Sequence, residues 1–177
     1  LVQATVGGNT YLLVASKSEH GVTSYHVDPQ TGHLTEAMSL GAENGLGINT
    51  ATAMQVAEVA GETYVILGAA GSQSISVMRL DAGGNLAPVD HILDTLSTRF
   101  GGLTSLEVTT VDDRVYVLAG GADDGISLFT LLPGGRLVHL QSIEDTMAMG
   151  LQNIEALSLT ATDGGMIVMA ASQSGAG

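Results

Sequence analysis

Cysteine and tryptophan are absent from the 177 residues, and Lys and Arg together number only 5. Without cysteine there are no disulfides, no thiolate metal sites and no cysteine nucleophile. The 5 basic residues stand against 18 acidic ones, so the formal charge is 5 − 18 = −13. That balance argues against nucleic acid as a partner, because holding phosphates draws on clustered Lys and Arg. It argues equally against docking on anionic lipid. Aromatic residues are 3% of the chain, which leaves the core to aliphatic side chains. No apolar run reaches the roughly 18 residues of a membrane-spanning helix. Residue 1 is Leu, and no basic segment precedes an apolar stretch as in a signal peptide. A phosphate loop ending in Gly-Lys and a Gly-x-Ser-x-Gly nucleophile elbow are both missing, and Lys17 is the sole lysine, which argues against nucleotide chemistry.

What the chain does have is glycine, 24 residues of it, and an apolar fraction of 45%. This is the composition of a folded, turn-rich chain rather than a disordered one. The turns recur. Similar segments start at Thr10, Thr63, Arg114 and Gly164, each an apolar strand, a small or acidic turn and a second strand. The second strands begin near Val22, Ile75, Ile126 and Ala176, at intervals of 53, 51 and 50. A glycine two residues before a leucine keeps the same beat at Gly32, Gly84 and Gly135. Each is expected to supply a positive φ that a Cβ would penalise. A third apolar strand precedes each unit, as at residues 53–59, so that one unit holds strands A (53–59), B (63–69), C (74–80) and D (86–93).

Four antiparallel strands repeating at about 50 residues describe a β-propeller blade. No stripe of period 3.6 persists, and the Ala-rich stretch from Asn44 to Val59 reads as loop then strand. The expected fold is all-β: one partial propeller domain with blades at about 1–43, 44–94, 95–144 and an incomplete 145–177. That is roughly three and a half blades of a ring expected to have seven. The chain is accordingly expected to be a piece of a longer one, with the remaining blades of the parent chain or a partner chain completing the ring.

The segment Ser24-Tyr25-His26-Val27-Asp28-Pro29-Gln30-Thr31-Gly32-His33-Leu34 resembles a strand and turn of lactonase-type seven-bladed propellers. The segment Ala122-Asp123-Asp124-Gly125-Ile126-Ser127-Leu128-Phe129 resembles a unit of secreted bacterial propellers that stand beside calcium-binding nonapeptide repeats of the hemolysin (RTX) type. The chain itself holds no Gly-Gly-x-Gly-x-Asp nonapeptide. The resemblance implies a secreted, extracellular bacterial protein, possible association with calcium, and either a binding module or a lactone-opening enzyme.

In a propeller the D→A and B→C connections share one face. The long D→A links, from Gly41, Asp94 and Glu144 onward, mark that face as the functional one. It carries the candidate ligand-binding residues Glu19, His20, Arg99, Asp123, Asp124 and Gln152. Asp123 and Asp124 are also candidate calcium ligands, although two neighbouring carboxylates fall short of the six to eight oxygens that calcium takes, and a turn is the plainer reading. His26, His33, His91 and His139 read as turn or outer-strand residues. Tyr11, Tyr64 and Tyr116 read as packing between blades. Glu58, Glu107 and Glu155 lie on A strands facing the channel, in registers that differ. No catalytic residue is assigned. The first functional expectation is a non-enzymatic binding, adhesion or display module with a surface glycan or protein as ligand. A lactonase-like hydrolase acting on a sugar lactone and a structural subunit of a two-chain ring are the alternatives.

Overall fold

A computed structural model of the chain describes residues 1–173. The expected start of a strand near Ala176 lies outside them. The described residues form three four-stranded antiparallel sheets and one two-stranded sheet. The first sheet is β1 (Val2–Val6), β2 (Asn9–Ser16), β3 (Gly21–Val27) and β4 (Leu34–Leu40). The second is β5 (Ala51–Val59), β6 (Glu62–Ala69), β7 (Ser74–Leu80) and β8 (Leu86–Leu93). The third is β9 (Ser105–Val111), β10 (Arg114–Gly120), β11 (Gly125–Leu131) and β12 (Leu137–Glu144), and the last pair is β13 (Ile154–Thr162) and β14 (Gly165–Ser172). Within each sheet the spatial order is the chain order, a meander. Among the described residues one 3-10 turn, Ala42–Asn44, is the only helical element.

The strands form where β-branched and aliphatic residues run between turn residues. β6 (ETYVILGA) and β7 (SISVMRL) are the clearest case, and both are buried along nearly their whole length. Buried on both faces, such strands lose the in–out alternation of a half-exposed sheet. Each third-to-fourth strand pairing slips by one residue, at Ser24/Tyr25, Val77/Met78 and Leu128/Phe129. These slips recur at intervals of 53 and 51, so the repeat extends to its irregularities. A bulge bends and twists a strand, which suits the outer strands of a propeller blade.

The first strands β1, β5, β9 and β13 pack against one another in succession, which places them innermost. The core is correspondingly divided into layers between sheets. Tyr11, Leu13, Val22, Met54, Leu67 and Met78 belong to the first layer. Tyr64, Ile66, Ile75, Phe100, Val117 and Phe129 belong to the second, where Phe100 and Phe129 meet edge to face at 5.7 Å. Leu118, Ile126, Ile154 and Leu157 form a smaller third layer.

One contact is repeated at both complete junctions. The Tyr11 hydroxyl donates to the Ala82 carbonyl at 2.7 Å, and the tyrosine ring lies on Gly84 of the second sheet's last turn. The Tyr64 hydroxyl accepts from the Gly134 N–H at 3.1 Å, and its ring lies on Gly135 of the third sheet's last turn. Gly84 and Gly135 both have φ +83°, and a Cβ there would stand 2.5 or 2.6 Å from the tyrosine ring. The turn glycine therefore serves two needs, a left-handed backbone and room for the neighbouring blade's aromatic ring. The expectation that Tyr11 and Tyr64 pack between blades holds.

Candidate functional site

The connections between sheets and the turns between second and third strands gather on one face, tied by backbone hydrogen bonds. Gly71 and Ser72 donate to Asn49, Asp94 to Gln73, Ala122 to Gly101, and Asp145 to Asp124. The last residue of each second-to-third strand turn has a left-handed backbone although none is glycine: His20 (φ 53°), Gln73 (φ 51°) and Asp124 (φ 42°). A second left-handed series recurs in the inter-sheet connections, at Thr50 (φ 56°) and Asn153 (φ 48°) just before the strand and at Gly102 (φ 59°), where glycine takes the conformation without strain. Strain of this kind marks active sites when it is isolated. Here it recurs blade after blade, so it belongs to the architecture of the face.

The candidate residues fall into separate groups. His20 sits at the first junction, where its Nδ1 accepts from the Thr50 N–H at 3.3 Å. Glu19 lies in the same turn, its N–H bonded to the Ser16 hydroxyl at 3.1 Å. Gln152 lies in the connection that leads into β13. Arg99 and Asp123 meet at the second junction, where the connection 94–104 crosses the turn 121–124.

This second junction is the most elaborated part of the face. Arg99 is fixed at both ends. Its N–H donates to the buried Ser127 hydroxyl at 2.6 Å, and its guanidinium donates to Glu144 Oε1 at 2.5 Å and to the Thr98 carbonyl at 3.1 Å. Its Nη1 is also 3.8 Å from Asp123 Oδ2. Gly125 leaves space for the arginine stem, because a Cβ there would stand 2.4 Å from the Ile143 carbonyl and 3.0 Å from Arg99 Cγ. Asp94 completes the group. Its Oδ1 accepts from the Thr98 hydroxyl at 2.8 Å and the Phe100 N–H at 3.2 Å. Partial burial, and after it the charge of Asp94, push the Asp123 carboxyl above its ordinary pKa, with Arg99 pulling the other way. Asp94, Asp123 and Glu144 against Arg99 leave a local charge of −3 + 1 = −2. Chemically, the cluster offers a carboxyl that holds its proton more readily than usual beside an anchored guanidinium.

Asp124 follows Asp123 in the turn, where its left-handed backbone and its carbonyl, which accepts the Asp145 N–H, define the turn, and its charge adds to those that raise the Asp123 pKa. Among the described residues no group of three acidic or imidazole side chains is arranged to hold a metal ion. The remaining histidines have structural or turn positions: His26 stacks edge-on against Tyr11, His91 bonds the Ser76 hydroxyl at 2.8 Å, His139 bonds the Ser142 hydroxyl at 2.9 Å, and His33 is an exposed turn residue whose N–H donates to the Thr31 hydroxyl at 3.2 Å. The Asp28 turn that carries the lactonase resemblance lies at the opposite end of the strands from this cluster. Its carboxylate accepts the Gln30 and Thr31 N–H groups, which lowers its pKa, and Asp81 does the same in the second sheet. On the inner strands Glu107 matches Gln55 in register, and Glu58 stands elsewhere, so these glutamates form no ring.

Asp94 and Glu144 escaped the reading of the sequence. A signal was present, however. Asp-Thr recurs at residues 94–95 and 145–146, and both aspartates accept an N–H six residues on, from Phe100 and Leu151.

No protein-family model matches this sequence, and no curated relative matches it. Solved structures do. A provisional 6-phosphogluconolactonase from Bacteroides uniformis shares 15% identity, with 96% of this chain covering 46% of that one at a TM-score of 0.64. The periplasmic gluconolactonase PpgL of Pseudomonas aeruginosa shares 19% identity, with 81% covering 39% at 0.56. The xyloglucan PUL protein GH43B of Bacteroides ovatus shares 15%, with 96% covering 35% at 0.55. The chain thus spans less than half the length of these proteins. At such identities the likeness is one of fold, and the fold is that of the β-propeller lactonases and family-43 glycoside hydrolases.

Proposed function

We propose that this chain contributes the working loop face of a lactonase-like propeller hydrolase, acting on a lactone derived from a sugar. The observation that supports this most is the Asp94–Asp123 carboxyl pair held against Arg99 on the face where the inter-blade connections gather. Opening a lactone adds water across the ester: a C–O bond forms to the water oxygen, the ring C–O bond breaks, and the ring oxygen gains a proton. A carboxylate that accepts the proton of water and returns it to the ring oxygen serves both steps. Asp123, with its raised pKa, suits that exchange, and Arg99 suits the developing negative charge on the carbonyl oxygen. The names of the fold neighbours, a gluconolactonase among them, agree with a sugar-derived substrate. An adhesive or display role draws no support from them. A secreted protein remains part of the proposal, on the resemblance of residues 122–129 to a unit of secreted bacterial propellers.

The test is hydrolysis of δ-gluconolactone and related aldonolactones by the full chain, followed as acid release in a pH-stat. The expected result is a rate above spontaneous opening that falls at least tenfold in Asp123→Asn and Arg99→Met, with thermal unfolding of both variants measured alongside. Absence of catalysis across the panel, or variants as active as the parent, overturns the reading.

A further inference from the structure

The third and fourth strands of each four-stranded sheet are joined by a side-chain pair at one register position. Thr23 faces Ser39, Ser76 faces His91, and Ser127 faces Ser142, with hydrogen bonds of 3.1, 2.8 and 2.8 Å. In the third sheet the pair also grips the connection that enters the sheet. The Arg99 N–H donates to Ser127 Oγ at 2.6 Å, and Ser142 Oγ donates to the Ser97 carbonyl at 3.0 Å. The second sheet shows that this grip is not a property of the repeat. Among the described residues neither the Ser76 nor the His91 side chain bonds the connection 41–50 that enters that sheet.

Counting protons fixes the direction of these bonds, because a serine hydroxyl has one hydrogen to give. That of Ser142 goes to the Ser97 carbonyl, which can only accept. The hydrogen between the two serines therefore comes from Ser127. His139 Nε2 lies 2.9 Å from Ser142 Oγ and can then only donate to it, so its proton sits on Nε2. The chain runs inward from solvent: His139 is exposed, Ser142 half-buried and Ser127 fully buried. A stack of rings runs beside it. His139 lies 5.4 Å from Phe129, and Phe129 meets Phe100, the neighbour of Arg99 whose N–H is held by Asp94. The Arg99 guanidinium in turn donates to the Leu96 and Thr98 carbonyls of its own turn, so holding the turn holds the charge.

We propose that Ser127, Ser142 and His139 are positioning residues for Arg99. They form a directed chain of hydrogen bonds from β11 and β12 to the turn 96–99, and they hold the guanidinium where it faces Asp123 and Glu144. Their bearing on catalysis rests on the role proposed above for Arg99. In that role the guanidinium meets a negative charge that develops only in the transition state, so a loss of aim costs turnover more than substrate binding.

The test uses the full chain labelled with nitrogen-15. In mildly alkaline solution the neutral His139 ring is expected to carry its proton on Nε2, read from its two nitrogen shifts. Ser142→Ala is expected to speed exchange of the Arg99 guanidinium protons about fivefold, the effect of losing one hydrogen bond. Ser142→Thr, which keeps the hydroxyl, is expected to restore the parent rate. On an aldonolactone that the parent chain opens, Ser142→Ala should lower kcat by a similar factor and leave KM nearly unchanged. His139→Gln, which keeps a donor, should lose less than His139→Phe. A His139 proton on Nδ1, or Arg99 signals that stay the same in Ser142→Ala, overturns the proposal whether or not any lactone is opened. A parent chain that opens no lactone while these signals behave as expected overturns the catalytic role of Arg99 and upholds its positioning.

Discussion

Placing a methyl group on Gly135 tests the packing between blades more sharply than any truncation of the core. Gly135 has φ +83°, and the new Cβ would stand 2.6 Å from a Tyr64 ring carbon and 2.5 Å from Val89 Cγ2. Gly32 has a similar backbone, φ +71°, with open space around it. Alanine at Gly32 therefore carries only the left-handed penalty, about 1–2 kcal/mol. Alanine at Gly135 carries that penalty and the overpacking of a filled site as well, a further ~1–3 kcal/mol. In a chain of this size each kcal/mol lowers the melting temperature by about 2–4 °C, so the two variants separate clearly in thermal scans. A third protein isolates the cause. In a Tyr64→Ala background, Gly135→Ala should cost less than it does in the parent chain, because the colliding ring is gone and the two changes couple. Equal costs at Gly32 and Gly135, or strict additivity of Gly135→Ala with Tyr64→Ala, would refute the idea that the turn glycine is kept for the tyrosine.

Other consequences concern single groups. Burial raises the pKa of the Glu107 carboxyl, so its ionised form weakens the fold, and the penalty grows as pH rises through the folded pKa. Gln55 at the matching position donates to the Leu106 carbonyl at 3.0 Å, so Glu107→Gln should stabilise the chain at neutral pH by up to about 1 kcal/mol and flatten its melting curve between pH 4 and 7. The Asp81 carboxylate is lowered in pKa by its bonds to Asn85 and Gly83, so it stabilises the fold above the ordinary carboxylate range and loses that effect as pH falls through its folded pKa. Asp81→Ala should therefore melt lower at pH 7 and converge on the parent at acid pH. Thr50 is β-branched at φ 56°, and Thr50→Gly should raise stability by about 1 kcal/mol as that strain is relieved, as judged by urea midpoints.

Strand positions were legible because alternating or continuous apolar runs between glycine turns leave few other readings. The strand expected at 74–80 lies at Ser74–Leu80, and the one expected at 53–59 starts two residues earlier, at Ala51. The short Ala42–Asn44 turn was not legible, since three residues carry no periodicity. The candidate site was legible only in part. Arg99 and Asp123 were marked by lying in turns on one face, yet their meeting depends on the angle between two sheets, which no local pattern encodes. Glu144 ends a strand and reads as an ordinary solvated acid until Arg99 is seen to cross it. His20 looked like a companion to these groups. Instead it holds the connection at the first junction, because the repeat sets it one blade away from Arg99.

The most direct measurement of the account is residue-resolved amide exchange on the intact chain. β6 and β14 are both second strands of similar composition, and among the described residues β6 pairs on both sides and β14 with β13 alone. The account predicts slow exchange at successive amides through β6 and β10, but alternating slow and fast exchange along β14, where every other N–H points away from β13. Uniform protection of β14 equal to that of β6 would contradict the pairing described for this stretch. Fast exchange throughout β6 would contradict the stacked blades themselves.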